Sequence, residues 1–209
     1  MFDDRVDAGK RLGAELAARG YGGRDDVVVL GVPRGGVEVA EEVARVLGAP
    51  LDIVVVRKIG APGNPEYAAG AVDQDGTVYP NPEAHVSERY LTDEGRRQHA
   101  EALRRIAAYR AGRPEVELAG RVALVVDDGI ATGLSALAAL RWLRSAGATR
   151  VVLAVPVMSP HSARELERET DELVALEAPP GFYAVGAHYH RFGQLSDADV
   201  TKLLARATR

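Results

Sequence analysis

The sequence predicts an α/β protein, with an open, mainly parallel sheet covered by helices on both faces. Three observations carry that reading. The runs Val27–Leu30, Val122–Val126 and Val151–Val155 are wholly apolar and rich in β-branched residues. Strands buried on both faces look like this, whereas a half-exposed strand would alternate. Between the runs lie stretches whose apolar residues recur at helical spacing, the crossover that a parallel pair requires. Small-residue loops, Gly31–Gly36 and Gly129–Gly133, stand directly between a strand and the helix that follows it.

Residues 5–19 open the chain as a helix, with Val6, Leu12 and Leu16 among its apolar positions. Val27–Leu30 is the first buried strand and Gly36–Leu47 the helix behind it. Leu51–Val56 is a second strand, ending at Arg57-Lys58. Residues 59–66 (Ile-Gly-Ala-Pro-Gly-Asn-Pro-Glu) are expected to form an irregular loop, because two prolines and two glycines oppose regular pairing. Residues 67–80 read as a hairpin turned at Asp75-Gly76. A charged helix is expected from Asp93 to Ala111, capped by Thr92, with Leu103, Ile106 and Tyr109 facing inward. After the strand Val122–Val126 and its helix, Val151–Val155 leads to Ser159-Pro160, the cap-then-proline order of a helix start. Leu173–Leu176 is another strand. Pro179-Pro180-Gly181 interrupts the chain before Phe182–His190, a candidate strand. Ser196-Asp-Ala-Asp199 forms a capping box for a last helix.

A chain of 209 residues with 46% hydrophobic content can bury a full core, and one domain over 1–209 is the expectation. A net charge of −4 argues against a general nucleic-acid binder. The absence of cysteine excludes disulfides and thiolate chemistry. No apolar run approaches the length of a membrane span, and Met1-Phe-Asp-Asp-Arg has no signal-peptide core, so a soluble cytoplasmic protein is expected. Of the 26 basic residues only Lys10, Lys58 and Lys202 are lysines. The five histidines lack metal-ligand spacing, although His188 and His190 would share one face of a strand. There is no Gly-x-Ser-x-Gly elbow and no Walker A sequence.

The most informative stretch is Val122 to Ser135. Its apolar strand ends in Asp127 and Asp128, followed by Gly129-Ile130-Ala131-Thr132-Gly133 and an apolar helix from Leu134. Backbone N–H groups of this loop can converge at the positive end of the helix and cradle a phosphate monoester, helped by the Thr132 and Ser135 hydroxyls. The acids sit at the carboxyl end of a strand, where open α/β sheets bind ligands. Beside an anion they need another task, and accepting hydrogen bonds from sugar hydroxyls is the natural one. The alternative is an ordinary β–α turn with aspartate as helix cap.

Two acids followed by Gly-x-x-Thr-Gly after an apolar strand resemble the phosphoribosyl-pyrophosphate (PRPP) motif of type I phosphoribosyltransferases. The resemblance implies that fold, with a small hood mainly from 178–195. It implies that Gly129–Ser135 holds the ribose 5-phosphate and that Asp127 and Asp128 hold the ribose hydroxyls. Gly31-Val-Pro-Arg-Gly-Gly36 has the position of the family's pyrophosphate loop, in which a strained or cis peptide is often found. Arg34, Gly35 and Gly36 would meet the pyrophosphate there, unless Arg34 is simply a solvent-facing residue of a tight turn. Arg57-Lys58 opens onto the same crevice, where similar proteins place a basic residue. The stretch near 58–67 resembles the family's mobile catalytic loop.

Tyr183-Ala-Val-Gly186 is similar to the hood of purine phosphoribosyltransferases, where an aromatic residue before a Val-Gly pair stacks on the base. Tyr183 would stack, with Phe182 the competing aromatic, and backbone groups at Ala184 and Val185 would read the base edge. Packing of both rings in the core is the alternative. The acid expected soon after Val-Gly in the purine enzymes is replaced by Ala187-His-Tyr-His190, which leaves a nucleobase in general as the implied acceptor.

The implied reaction moves the 5-phosphoribosyl group from PRPP to a nitrogen nucleophile and releases pyrophosphate. Mg²⁺ is the implied cofactor, reached by Asp127 and Asp128 only indirectly, through ribose hydroxyls or water. Arg34 and Lys58 would supply further positive charge, no residue stands out as a general base, and a homodimer is the expected assembly. The rival reading is a non-catalytic PRPP-binding regulator, which would keep the acids and phosphate loop but need not keep Arg34, Lys58 or a closing loop. A PRPP-synthesising pyrophosphokinase shares the motif but would be longer, with a duplicated domain.

Overall fold

The computed structural model describes residues 1–207. Its elements run α1 (Arg5–Ala18), β1 (Val27–Gly31), α2 (Gly35–Leu47), β2 (Leu51–Ile53), β3 (Arg57–Ala61), β4 (Asn64–Val72), β5 (Val78–Pro80), α3 (Glu88–Arg110), β6 (Val122–Val126), α4 (Leu134–Ser145), β7 (Arg150–Val157), α5 (Pro160–Leu166), β8 (Glu172–Glu177) and α6 (Asp197–Arg206), with short 3₁₀ turns at Pro82–Ala84 and Val185–His188.

Five strands form one parallel sheet in the order β2-β1-β6-β7-β8. The side-chain alternation of a strand sorts their residues onto two faces. Val27, Val29, Val122, Leu124, Val126, Val152 and Ala154 pack with Leu12 and Leu16 of α1, with α2, and with Val200 and Leu204 of α6. Val28, Leu30, Ala123, Val125, Leu153 and Val155 pack with Leu140 and Trp142 of α4 and Leu166 of α5. Two apolar faces explain why the central strands have no polar alternation.

The chain reverses strand order around β1 and β6: β2 lies outside β1, whereas β7 and β8 continue beyond β6. Ligand crevices in open α/β sheets form at such a switch point, above the carboxyl ends. Asp127 and Asp128 follow β6 and the Val32–Arg34 loop follows β1, so both border it.

Four expectations are corrected. Residues 59–66 are a hairpin rather than an irregular loop: β3 pairs antiparallel with β4, which pairs with β5, in a second three-stranded sheet. Gly63, at φ +76°, makes the turn, and register shifts at Ile59/Gly60 and Gly60/Ala61 absorb the rest. The strand expected through Val56 stops at Ile53, because β1 ends at Gly31. The Val54 N–H still reaches the Gly31 carbonyl (3.1 Å), but that of Val55 turns to Gln74 Oε1 (3.3 Å). The charged helix begins at Glu88 rather than Asp93. Ser87, not Thr92, caps it by accepting from the Tyr90 N–H (3.2 Å), and Leu103 faces solvent, whereas Tyr109 is buried. Phe182–His190 is no strand but an irregular segment with a 3₁₀ turn, joined to the chain start by Phe2 N–H to His188 O (2.8 Å) and His190 N–H to Phe2 O (2.9 Å).

Candidate active site

The acids stand at the floor of the crevice, held by neighbours from distant parts of the chain. Asp127 Oδ1 accepts from the Asp128 backbone N–H (2.8 Å). Asp128 Oδ2 accepts from Arg5 Nε (2.8 Å), and the Asp128 carbonyl accepts from the Tyr189 hydroxyl (2.5 Å). Burial pushes the Asp127 carboxyl well above its usual value, reinforced by the adjacent Asp128 charge. Burial also raises Asp128, against the opposing pull of the Arg5 guanidinium.

The loop after β1 meets these acids directly. The Pro33–Arg34 peptide bond is cis, and α2 begins at Gly35. A β-carbon on Gly36 would lie 2.8 Å from Asp127 Cα, and one on Gly35 would overlap the Asp128 carboxylate. Only glycines let the helix start so close to the acids. Arg34 itself is 43% exposed and lies 3.8 Å from Asp197, which also accepts from the Tyr109 hydroxyl (2.8 Å).

The loop after β6 is pinned along one side. Ile130 is buried, donates its N–H to Val157 O (3.0 Å) and accepts from Ser159 N–H (2.9 Å). The hydroxyls of Ser159 (2.9 Å) and Ser162 (2.7 Å) both donate to the Ala131 carbonyl. Ile130 therefore acts as the fixed edge of the loop, and its N–H is not free for an anion. The N–H groups of Ala131, Thr132 and Gly133 have no protein acceptor among the described residues and lead into the N-terminus of α4. Thr132 is exposed and Ser135 half-buried. Gly133, at φ +78°, redirects the chain into the helix.

Arg57 and Lys58 lie on β3, apart from this floor, and line a cleft of about 330 Å³ between the hairpin and α3, with Tyr90 and Glu94 on its far side. Arg57 donates to Gln98 Oε1 from Nε (3.1 Å) and Nη2 (2.9 Å). Its half-burial, reinforced by the charge of Arg105, lowers its pKa. Lys58 lies 3.4 Å from the Glu66 carboxylate across the hairpin.

The hood touches the site through Val185: a β-carbon on Gly129 would stand 2.5 Å from Val185 Cγ1. Phe182 is half-buried and stacks on His188, ring centroids 5.5 Å apart, whereas Tyr183 is 92% exposed. Arg5, Tyr189 and Phe192 were not singled out by sequence. An arginine at the start of an amphipathic helix carries no motif, and its meeting with Asp128 spans 123 residues.

Among the described residues no group of three or more His, Asp or Glu side chains converges to hold a metal ion. A Mg²⁺ here would take most of its ligands from phosphate and sugar oxygens, as hard cations do, with the two acids alongside. The donor set fits that indirect role.

A parallel sheet with a cis-peptide loop after β1 and an acid pair before a small-residue loop after β6 is the arrangement of a type I phosphoribosyltransferase. The chain belongs to the phosphoribosyl transferase domain family, whose model matches residues 4–182. Two Mycobacterium tuberculosis proteins, from strains CDC 1551 and H37Rv, are named provisionally as phosphoribosyl transferases. Each is 46% identical over 213 residues, covering all of this chain and 47% of its own length. The chain thus spans about half the length of these curated relatives. The crystal structure of TT1426 from Thermus thermophilus superposes with a TM-score of 0.84 at 47% identity, covering 99% of this chain and 98% of that one. The AQ2163 protein of Aquifex aeolicus shares the fold at 13% identity, with a TM-score of 0.51 over 82% of this chain and 73% of that one. No helix among the described residues is long and apolar enough to cross a membrane.

Proposed function

We propose that this chain transfers the 5-phosphoribosyl group of PRPP to a nitrogen nucleophile, a nucleobase or a flat heterocycle like it, releasing pyrophosphate. One observation carries the reading: Asp127 and Asp128 stand between the loops after β1 and β6, packed against the start of α2 on one side and continuing into the loop before α4 on the other. A ligand with a phosphate at one end, a pyrophosphate at the other and a diol between them matches that order.

In this reading the free N–H groups of Ala131, Thr132 and Gly133, with Gly129, Thr132 Oγ1 and Ser135 Oγ, hold the 5-phosphate. Asp127 and Asp128 accept hydrogen bonds from the ribose hydroxyls. Arg34, with the backbone at Gly35 and Gly36, meets the pyrophosphate, and Arg57 and Lys58 approach as the β3–β4 hairpin closes. Asp127 and Asp128, through ribose hydroxyls or water, would hold a bound Mg²⁺, which would supply positive charge to the pyrophosphate. Binding energy gathered at the phosphate and diol orients C1, where the bond to pyrophosphate oxygen breaks as the bond to nitrogen forms. The proton on that nitrogen passes to solvent. Tyr183 offers a face to the incoming heterocycle and Val185 closes the space above Gly129. Closure of the hairpin limits hydrolysis. The catalytic unit spans the whole chain and acts as a homodimer in the cytoplasm.

PRPP with Mg²⁺ is expected to raise Tm, since a ligand that binds only the folded state stabilises it by RT ln(1 + [L]/Kd). Ribose 5-phosphate should raise it less. Pyrophosphate release with a panel of nucleobases then identifies the acceptor. Absence of a Tm shift with either ligand at millimolar concentration overturns the reading, and binding without transfer to any acceptor favours the regulator.

A further inference from the structure

We propose that Arg5 is the positioning residue for sugar recognition, holding Asp128 in one orientation from outside both ligand loops. The guanidinium is in contact with four groups. Nε donates to Asp128 Oδ2 (2.8 Å) and Nη1 donates to the Gly193 carbonyl (2.7 Å). The guanidinium carbon lies 3.9 Å from the centre of the Phe192 ring, and Nη1 is 3.9 Å from Glu38 Oε2. Its side chain is only 7% exposed. Burying an arginine is costly unless its donors are met, and here Nε and Nη1 each have an acceptor while Phe192 covers one face of the guanidinium.

Those groups come from separate parts of the fold. Arg5 is the first residue of α1, behind an N-cap in which Asp4 Oδ1 accepts from the Asp7 N–H (2.9 Å). Glu38 lies in the first turn of α2. Phe192 and Gly193 belong to the C-terminal segment that also sends the Tyr189 hydroxyl to the Asp128 carbonyl. A β-carbon at Gly35 would lie 2.9 Å from Arg5 Nε, so the α2 start closes the remaining side. Oδ2 of Asp128 is thereby engaged, which leaves Oδ1 to accept from a sugar hydroxyl in the proposed complex. Nε on Asp128 and Nη1 on the Gly193 carbonyl fix the plane of the guanidinium against the Phe192 ring, and with it the position at which Oδ2 is held. Lysine would keep the charge and lose the plane.

This role rests on the proposed contact between Asp128 and a ribose hydroxyl, and the experiment separates the two claims. Binding of ribose 5-phosphate, 2-deoxyribose 5-phosphate and pyrophosphate is measured for the wild type, R5K and F192L. The wild type should prefer ribose 5-phosphate over the deoxy sugar. R5K should lose about tenfold in ribose 5-phosphate affinity, and most of that preference, while binding pyrophosphate as the wild type does. F192L keeps the arginine but removes the ring face, and should show the same loss of preference in smaller degree; it also carries the test if R5K does not fold. A wild-type protein that binds no sugar phosphate overturns the proposed function and this role together. A wild type that binds with the expected preference, beside variants that keep it, overturns this role alone. Equal losses for pyrophosphate and sugar would make Arg5 a general structural residue and also overturn it.

Discussion

Gly35 packs directly on the carboxylate of Asp128: a β-carbon at position 35 would overlap Oδ2 and come within 2.7 Å of Cγ. The helix that follows the Val32–Arg34 loop and the strand that carries the acids are therefore in contact through a residue with no side chain. Substituting G35A should displace the Asp128 carboxylate from Arg5, at a cost of about 1–3 kcal/mol, as for other overpacked sites. Ligand affinity should fall with it. Gly181 has nothing within 4 Å of its would-be β-carbon, so G181A should stay within about 0.5 kcal/mol of the wild type. Urea denaturation of the two variants checks the contrast.

Asp127 and Asp128 should separate in stability although the same ligand role is proposed for both. The folded pKa of Asp127 is raised above the ordinary 3.8, so the folded chain holds this proton more tightly than the unfolded chain. Its contribution is complete below that ordinary value and is lost as pH rises through the raised value. At neutral pH the ionised group opposes folding, and D127N should raise Tm there, with the gain shrinking in acid. The Asp128 pKa is raised as well, but the Arg5 guanidinium opposes the shift, so D128N gains less in this way and also removes the anion from the buried Arg5 pair. The expected cost is up to about 3 kcal/mol, the low end for a broken buried pair, since Gly193 O and Glu38 still face the guanidinium. Each variant should weaken PRPP binding by about ten- to a hundredfold. Thermal melts across pH and ligand titrations test both halves, and a D127N protein less stable than the wild type at neutral pH would contradict the first.

The parallel sheet and its two β–α loops are legible in the sequence because they depend on local pattern. Unbroken valine runs announce two-sided burial, and glycines mark where a helix start must approach a neighbour. What local pattern does not carry is pairing at a distance. Proline and glycine in 59–66 argue against regular structure, yet Gly63 supplies the turn and the prolines stand beside it, so the same residues make a hairpin once β5 is present. Ser87 caps α3 five residues before the expected Thr92, because the first turn is stabilised by Tyr90, whose hydroxyl donates to the Gly60 carbonyl (2.7 Å) on β3. By sequence the Ile130 N–H is as available to an anion as its neighbours, but the parallel bridge to Met158 uses it.

Arg34 and Lys58 should act on different parts of the ligand from Thr132 and Ser135. Arg34 caps no helix by side chain, is 43% exposed and, among the described residues, has only a 3.8 Å side-chain contact with Asp197, so R34A should fold normally. It should lose about tenfold in pyrophosphate affinity while ribose 5-phosphate affinity stays within about twofold, since the proposed sites of the two anions are separate loops. T132A should do the reverse. K58A should resemble R34A with a smaller loss, because Lys58 must first leave Glu66. Calorimetric titration of the two anions against each variant checks the division, and equal losses for both would refute it.

Phe182 and Tyr183 are adjacent but face different surroundings, and the difference assigns them different tasks. Phe182 packs against the cluster formed by Phe2, Ala8, Val157 and Tyr189 and stacks on His188, which in turn lies 3.6 Å from Glu177. F182A should therefore destabilise the hood by about 2 kcal/mol, below the usual cost for a fully buried phenylalanine because the ring is only half-covered. Tyr183 projects into solvent, and its removal should leave Tm unchanged. If its ring receives the acceptor, Y183A should raise the acceptor KM several-fold, in line with about 1 kcal/mol for a ring stack, and leave the KM for PRPP alone. Val185, pressed on Gly129, links the two residues to the phosphate loop, so V185A should disturb both constants. Steady-state kinetics with the acceptor found in the nucleobase panel decides the matter: an unchanged acceptor KM in Y183A would remove the stacking role and leave base recognition to backbone groups at Ala184 and Val185.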